Sequence, residues 1–88
     1  MSVYAVICFS LMFWSDWGRP GRIERSGLDG SQRQPIIRGL KRPNGLSIDF
    51  ARDRLYWTDA AAKTIEHCDL DGRDRQVPLS VHTLAKAK

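Results

Sequence analysis

The chain has 88 residues, with 14 Lys and Arg against 10 Asp and Glu, for a net charge of +4 at neutral pH. Its basic residues are interleaved with acids, with no run longer than Lys41-Arg42 and no aromatic series beside them, so charge argues for a solvated mixed surface and against a base-stacking nucleic-acid platform. The longest apolar stretch, residues 3–14, falls short of the ~20 residues needed to cross a bilayer as a helix.

Residues 1–10 are an atypical N-terminal segment. Shifted by 43 positions, "SVYAVICFSL" falls on "GLSIDFARDR", so residues 2–10 stand where a first strand belongs. Val6 occupies the place of Asp49, however, and no Pro-Asn-Gly precedes it. Three readings stay open: a substitute strand, a non-homologous start spliced onto a repeat, and a targeting segment. The last lacks a preceding Lys or Arg and a small-residue cleavage site.

Residues 11–53 and 54–79 are written in strand language. "LMFWSD" and "RLYWTDA" are short runs rich in aromatic and aliphatic residues. "RIERSGL" and "TIEHCDL" alternate apolar and polar positions, which sets Ile23 and Ile65 on one face of their strands. Asp29-Gly30 and Asp71-Gly72 predict tight two-residue hairpin turns with positive φ at both positions. Pro43-Asn44-Gly45 reads as a break that opens the run "LSIDF", and "ARDR" turns the chain into "LYWTDA". Residues 44–79 thus predict four consecutive antiparallel strands. Residues 80–88, "SVHTLAKAK", lose the pattern and are expected to be a frayed tail.

The two copies superpose along most of their length. Trp14 and Asp16 fall on Trp57 and Asp59 at an offset of 43, while Ile23, Glu24, Leu28, Asp29, Gly30, Arg33 and Gln34 fall on Ile65, Glu66, Leu70, Asp71, Gly72, Arg75 and Gln76 at an offset of 42. The slip lies where "WGRPGR" is one residue longer than its counterpart. A period of about 40–45 residues without helical periodicity belongs to all-β repeats of the propeller-blade class.

"FWSDWG" and "LYWTDA", each followed by "IE", "LDG" and an Arg, with "RPNGLSIDF" between them, resemble the YWTD (class B) repeats of low-density lipoprotein receptor-related proteins and relatives such as nidogen. The resemblance covers roughly residues 11–79. It implies an all-β fold: two four-stranded antiparallel blades of a six-bladed YWTD propeller, with an extracellular, ligand-binding role and no catalysis. Residues 11–53 then form one repeat and residues 54–79 part of a second. Six blades need on the order of 250 residues, so the chain is expected to be a fragment of a receptor-like protein or a truncated product. Two blades alone leave apolar faces and unpaired edges, and should self-associate.

The resemblance also assigns residues. Asp16 and Asp59 match the motif Asp that ties adjacent blades together, and Phe13, Trp14, Tyr56 and Trp57, with Ile23, Ile65, Gly30 and Gly72, are expected to be structural. Trp17 is the exception, because its counterpart is Ala60 and the blade does not require it. Trp17, Arg19, Arg22 and Glu24 match a rim of the disc that contributes to protein binding in the family, so they are the candidate ligand-binding residues. The alternative places Trp17 against the neighbouring blade.

Other chemistry is weaker. "DLDGRD" brings three carboxylates together, but its Gly is fourth and position 12 is Ser80, unlike a calcium loop. No metal or cofactor is expected, and no catalytic residue either: Asp16, Asp59, Glu24 and Glu66 recur once per blade, which fits a job each blade must do better than a single active site. Cys8 and Cys68 could pair, but two strand-borne thiols fit better, since Ser26 stands at the position of Cys68 in the other copy. His67 and His82 could titrate in an acidic endosome. The partners expected are protein ligands of the complete propeller, with no nucleic acid, and with membrane reached only through other parts of a parent receptor. The alternatives are a nidogen-like adhesive module and a product without activity of its own.

Overall fold

A computed structural model describes residues 5–8 and 10–80, without the side chains of residues 8, 79 and 80. The side chain of Cys8 (and with it any pairing with Cys68), His82 and the rest of residues 81–88 lie outside the described residues. Eight strands run in order: β1 (Ala5–Cys8), β2 (Leu11–Asp16), β3 (Gly21–Gly27), β4 (Gln34–Leu40), β5 (Pro43–Asp49), β6 (Arg54–Asp59), β7 (Thr64–Asp69) and β8 (Gln76–Ser80). They form two four-stranded sheets, β1-β2-β3-β4 and β5-β6-β7-β8, in which each strand pairs antiparallel with the next. Among the described residues no helix is long and apolar enough to cross a membrane.

The turns differ from the sequence expectation. Only the glycine of each Asp-Gly pair takes positive φ, at 84° in both copies, and a second left-handed residue follows at Gln32 and Asp74. Each connection is a six-residue loop closed by short-range backbone bonds, Gly30 N to Gly27 O at 3.0 Å and Gly72 N to Asp69 O at 3.1 Å. An Asp side chain completes it by accepting from the backbone two residues on, as Asp29 does from Ser31 and Asp69 from Asp71. Pro43-Asn44-Gly45 is likewise part of β5. Gly45, at φ 53°, sits where the register to β6 slips between Asn44 and Leu46, so the glycine marks a bulge in place of a break.

Register sorts the side chains by face, since directly paired residues share one. Phe13 pairs with Arg25, and Ser15 with Ile23, on one face of the first sheet; Met12 and Trp14 pair with Ser26 and Glu24 on the other. In the second sheet Leu55 and Trp57 pair with Cys68 and Glu66, opposite to Tyr56 and His67. The core is the seam between the sheets: Phe13, Ile23, Ile37 and Leu40 pack on Leu55, Trp57 and Cys68. Phe13, Ile23 and Leu55 are wholly buried and Trp57 is 1% exposed. Trp14, Tyr56 and Ile65, expected among the buried structural residues, are only half-buried, because they lie on the two faces turned away from the seam.

Polar contacts lock the seam at both ends. At one end Asp59 Oδ2 accepts from Lys41 N at 3.0 Å and Oδ1 from Arg42 N at 3.1 Å, and Oδ1 also accepts from Ala61 and Ala62 N. Lys41 and Arg42 are the two residues that join the sheets, so this carboxylate holds the connection against the end of β6. At the other end Arg25 donates to Leu70 O at 2.6 Å and to Asp71 Oδ1 at 2.8 Å. Gly72 lies so close to Ile36 that a Cβ would stand 2.3 Å from its carbonyl oxygen, which excludes any side chain there.

Burial pushes the Asp59 carboxyl up, but the backbone amides of Ala62, Lys41, Arg42 and Ala61 outweigh it and hold the group below its ordinary 3.8. A lowered folded pKa contributes stability that is present above the unfolded value and is lost as pH falls through the folded one. Asp59→Asn should therefore cost about 2 kcal/mol at pH 7, as expected for bonds to a charged group. It should also lessen the loss of stability as pH falls below about 4, the unfolded carboxyl's range. Urea titrations of both proteins at pH 7 and pH 3 check this; equal midpoints at pH 7 would remove Asp59 as a lock.

Cys68 is a free thiol buried in the seam, and burial pushes its pKa up to about 12. It should resist iodoacetamide at pH 8 in the folded chain and react at the rate of a model thiol once the chain is unfolded in urea. Peptide mapping of the alkylated protein reads Cys68 separately from Cys8; fast labelling without denaturant would mean that the seam opens readily.

Candidate functional site

The loops at the Asp59 end form one rim. Here the β2–β3 loop (17–20), the inter-sheet residues 41–42 and the β6–β7 loop (60–63) meet. Trp17 reaches across the seam. Its indole Nε1 donates to the Pro43 carbonyl, and the Arg42 guanidinium lies over its ring, 5.3 Å from the centroid. Trp17 is thus half-buried against the neighbouring sheet with one polar contact and one cation on its face. Ala60, its counterpart, donates its backbone N–H to Arg42 O at 2.9 Å.

The four candidate binding residues are not one cluster. Arg19 is exposed at the loop tip. Arg22 lies on the outward face of the first sheet, 3.3 Å from Asp16 and 3.1 Å from Glu24. Glu24 is 4% exposed and belongs to the interior of that network, where Arg33 Nε donates to it at 3.0 Å. The bond from Arg33, with Arg22 adding to it, holds the Glu24 carboxyl below its ordinary range despite burial. Arg33 in turn stands over the Trp14 ring at 5.5 Å.

The second sheet repeats the arrangement. Arg75 Nε donates to Glu66 at 2.7 Å and lies over Trp57 at 5.9 Å. The recurring Glu, Arg and Trp are therefore one device per blade: a buried carboxylate neutralised by an arginine whose flat group covers the tryptophan. Glu24 has this internal duty in place of a free binding function. The equal spacing from Glu to Arg in the two copies was the available signal.

Once Asp16 and Asp59 are accounted for, the rim is cationic. Asp59 is committed to backbone amides, and Asp16 to Gly18 N at 2.9 Å and to Arg22. Arg19, Lys41, Arg42 and Lys63 remain exposed around the half-buried Trp17. Lys41, Arg42 and Lys63 were not singled out by sequence, because only the fold brings three separate loops together. Among the described residues no three His, Cys, Asp or Glu side chains are placed to hold a metal ion.

Comparison with known proteins agrees with this geometry. The low-density lipoprotein receptor repeat class B profile matches residues 10–50. The vitellogenin receptor Yl of Drosophila melanogaster is 39% identical over 70 residues, covering 78% of this chain and 4% of that protein. The vitellogenin receptor of Solenopsis invicta is 42% identical over 69 residues, covering 77% and 4%. A solved structure of a nidogen/laminin complex superposes with a TM-score of 0.75 and 30% identity, over 82% of this chain and 27% of that one. The chain spans a small part of each relative. It belongs to the class B (YWTD) repeats of the low-density lipoprotein receptor family, and its two sheets are two blades of a YWTD β-propeller.

Proposed function

We propose that these blades form part of an extracellular propeller that binds protein ligands for a receptor of this family, in uptake or signalling. The observation that carries the reading is the rim. Its acids are consumed internally, while Arg19, Lys41, Arg42 and Lys63 stand exposed around an aromatic anchor. Such a surface suits an acidic segment of a protein ligand, because Arg and Trp dominate interface energetics and clustered cations steer association. The carboxylates that a catalytic reading would use are bonded to backbone amides or arginines, so binding accounts for the residues better than catalysis does.

The names of the relatives supply two probes. The vitellogenin receptors favour a receptor that binds vitellogenin, and the nidogen/laminin complex favours the second reading, an adhesive matrix module. Immobilised chain should bind one of vitellogenin or laminin. Arg19→Glu with Arg42→Glu should weaken that binding by about tenfold or more, and raising salt from 50 to 300 mM should weaken the parent in the same direction, as for an interface held by exposed charges. Surface plasmon resonance reads both. Binding to neither protein, or binding indifferent to the two substitutions, would overturn the rim as the site.

A further inference from the structure

The corner where β3 meets β4 carries two arginines that the repeat does not require. Gly21 pairs with Leu40 and Ile23 with Ile37, so Arg38 and Gly39 together face Arg22, a bulge for which Gly39 supplies a φ of 72°. Arg22 and Arg38 line one cavity of about 240 Å³, which Pro20 and Pro35 also line. Like charges facing each other across a strand pair are destabilising. In the second copy Thr64, Val77 and Ser80 hold the places of Arg22, Pro35 and Arg38. Thr64 Oγ1 donates to Glu66 Oε2 at 2.7 Å, just as Arg22 Nε donates to Glu24 Oε2 at 3.1 Å. A threonine therefore meets the structural need, and the guanidinium exceeds it.

The charges around the cavity do not balance. Arg22, Arg33 and Arg38 stand against Asp16 and Glu24. Glu24 accepts from both Arg22 and Arg33, and Asp16 accepts from Arg22. Arg38 is exposed and has no carboxylate partner among the described residues. The two acids hold Arg22 through Nε and Nη2, which fixes the group and leaves Nη1 to spare. The corner also stays open beside a packed blade. Thr64 lies on the face of the second sheet that the first sheet covers, yet it is only half-buried, and Val77 is 51% exposed.

We propose that this recess seats the carboxylate of a Glu or Asp side chain from the protein ligand. Arg38 presents its fork to both carboxylate oxygens, and Arg22 Nη1 donates from the side. The proline rings flank the methylene stem and add no N–H donor. A sulfate or phosphate group has more oxygens to satisfy than these donors serve, so the carboxylate is the better match. The volume is below the ~300–1,000 Å³ of small-molecule sites and suits one side chain. The inference rests on the reading of these blades as a protein-binding module, and it adds to the rim an anchor with its own residues.

NMR of the 15N-labelled chain tests it, with N-acetyl-glutamyl amide as the probe at constant ionic strength. The Nε–Hε signals of Arg22 and Arg38 should shift and saturate with a dissociation constant of about 10 mM, the weak range expected of a single side chain. Arg38→Ser, read at Arg22, and Arg22→Thr, read at Arg38, should each weaken binding about tenfold, as for loss of a charge-assisted bond. Both introduce the residue that the second copy carries, and unchanged urea midpoints check that they fold. Arg52→Ser, at the far end of the second sheet, should leave the affinity within about twofold, as for a remote surface charge. Silence at Arg22 and Arg38 overturns the proposal whether or not the Arg19 and Arg42 signals respond, whereas response at Arg22 and Arg38 alone upholds it and counts against the rim. Tighter binding of sodium sulfate than of the glutamyl probe overturns the assignment of a carboxylate, and so does affinity that survives both Arg38→Ser and Arg22→Thr.

Discussion

The structure depends on how one carboxylate is used. Asp59 collects four backbone N–H groups, two from the loop that follows its own strand and two from the residues that join the sheets. A buried carboxylate without such donors would be costly, and the amides of a sharp connection would be orphaned without an acceptor. Each need meets the other, and the connection between the sheets is held against the end of β6. The side chains at the seam can then interdigitate, and the three rim loops are brought within reach of one another.

The two copies act as an internal comparison of the same residue types with and without a neighbour. Phe13 and Tyr56, Ile23 and Ile65, Trp57 and Trp14 differ in burial although each pair holds an equivalent place in its sheet. The difference belongs to the packing partner and not to the strand. Asp16 differs from Asp59 in its partners: it accepts from Gly18 N and from Arg22. By contrast, Glu24 and Glu66 are buried alike, because their arginines come from the same sheet.

That contrast explains what was legible in the sequence. Period, strand runs and blade class could be read from Trp14, Asp16 and their counterparts because they are properties of one repeat. The burial of Trp14 and Tyr56 could not, because burial depends on which face meets another sheet. Asp29-Gly30 and Asp71-Gly72 suggested two-residue turns, since a dipeptide signal does not reveal the second left-handed residue two positions beyond each glycine. Glu24 looked like a rim residue because spacing along the chain does not show that an arginine nine residues on will neutralise it. The cationic rim was the least legible feature, since Arg19, Arg42 and Lys63 come from three loops.

Only Lys41 and Arg42 lie between the end of β4 and the start of β5. A tether this short keeps one blade at a high local concentration beside the other, so the seam forms as a unimolecular event and small contacts suffice to hold it. The same surfaces meeting from separate molecules lose that advantage and must also overcome the entropy of bringing two bodies together. A blade array written on one polypeptide can therefore tolerate imperfect seams that free-standing subunits would need to correct.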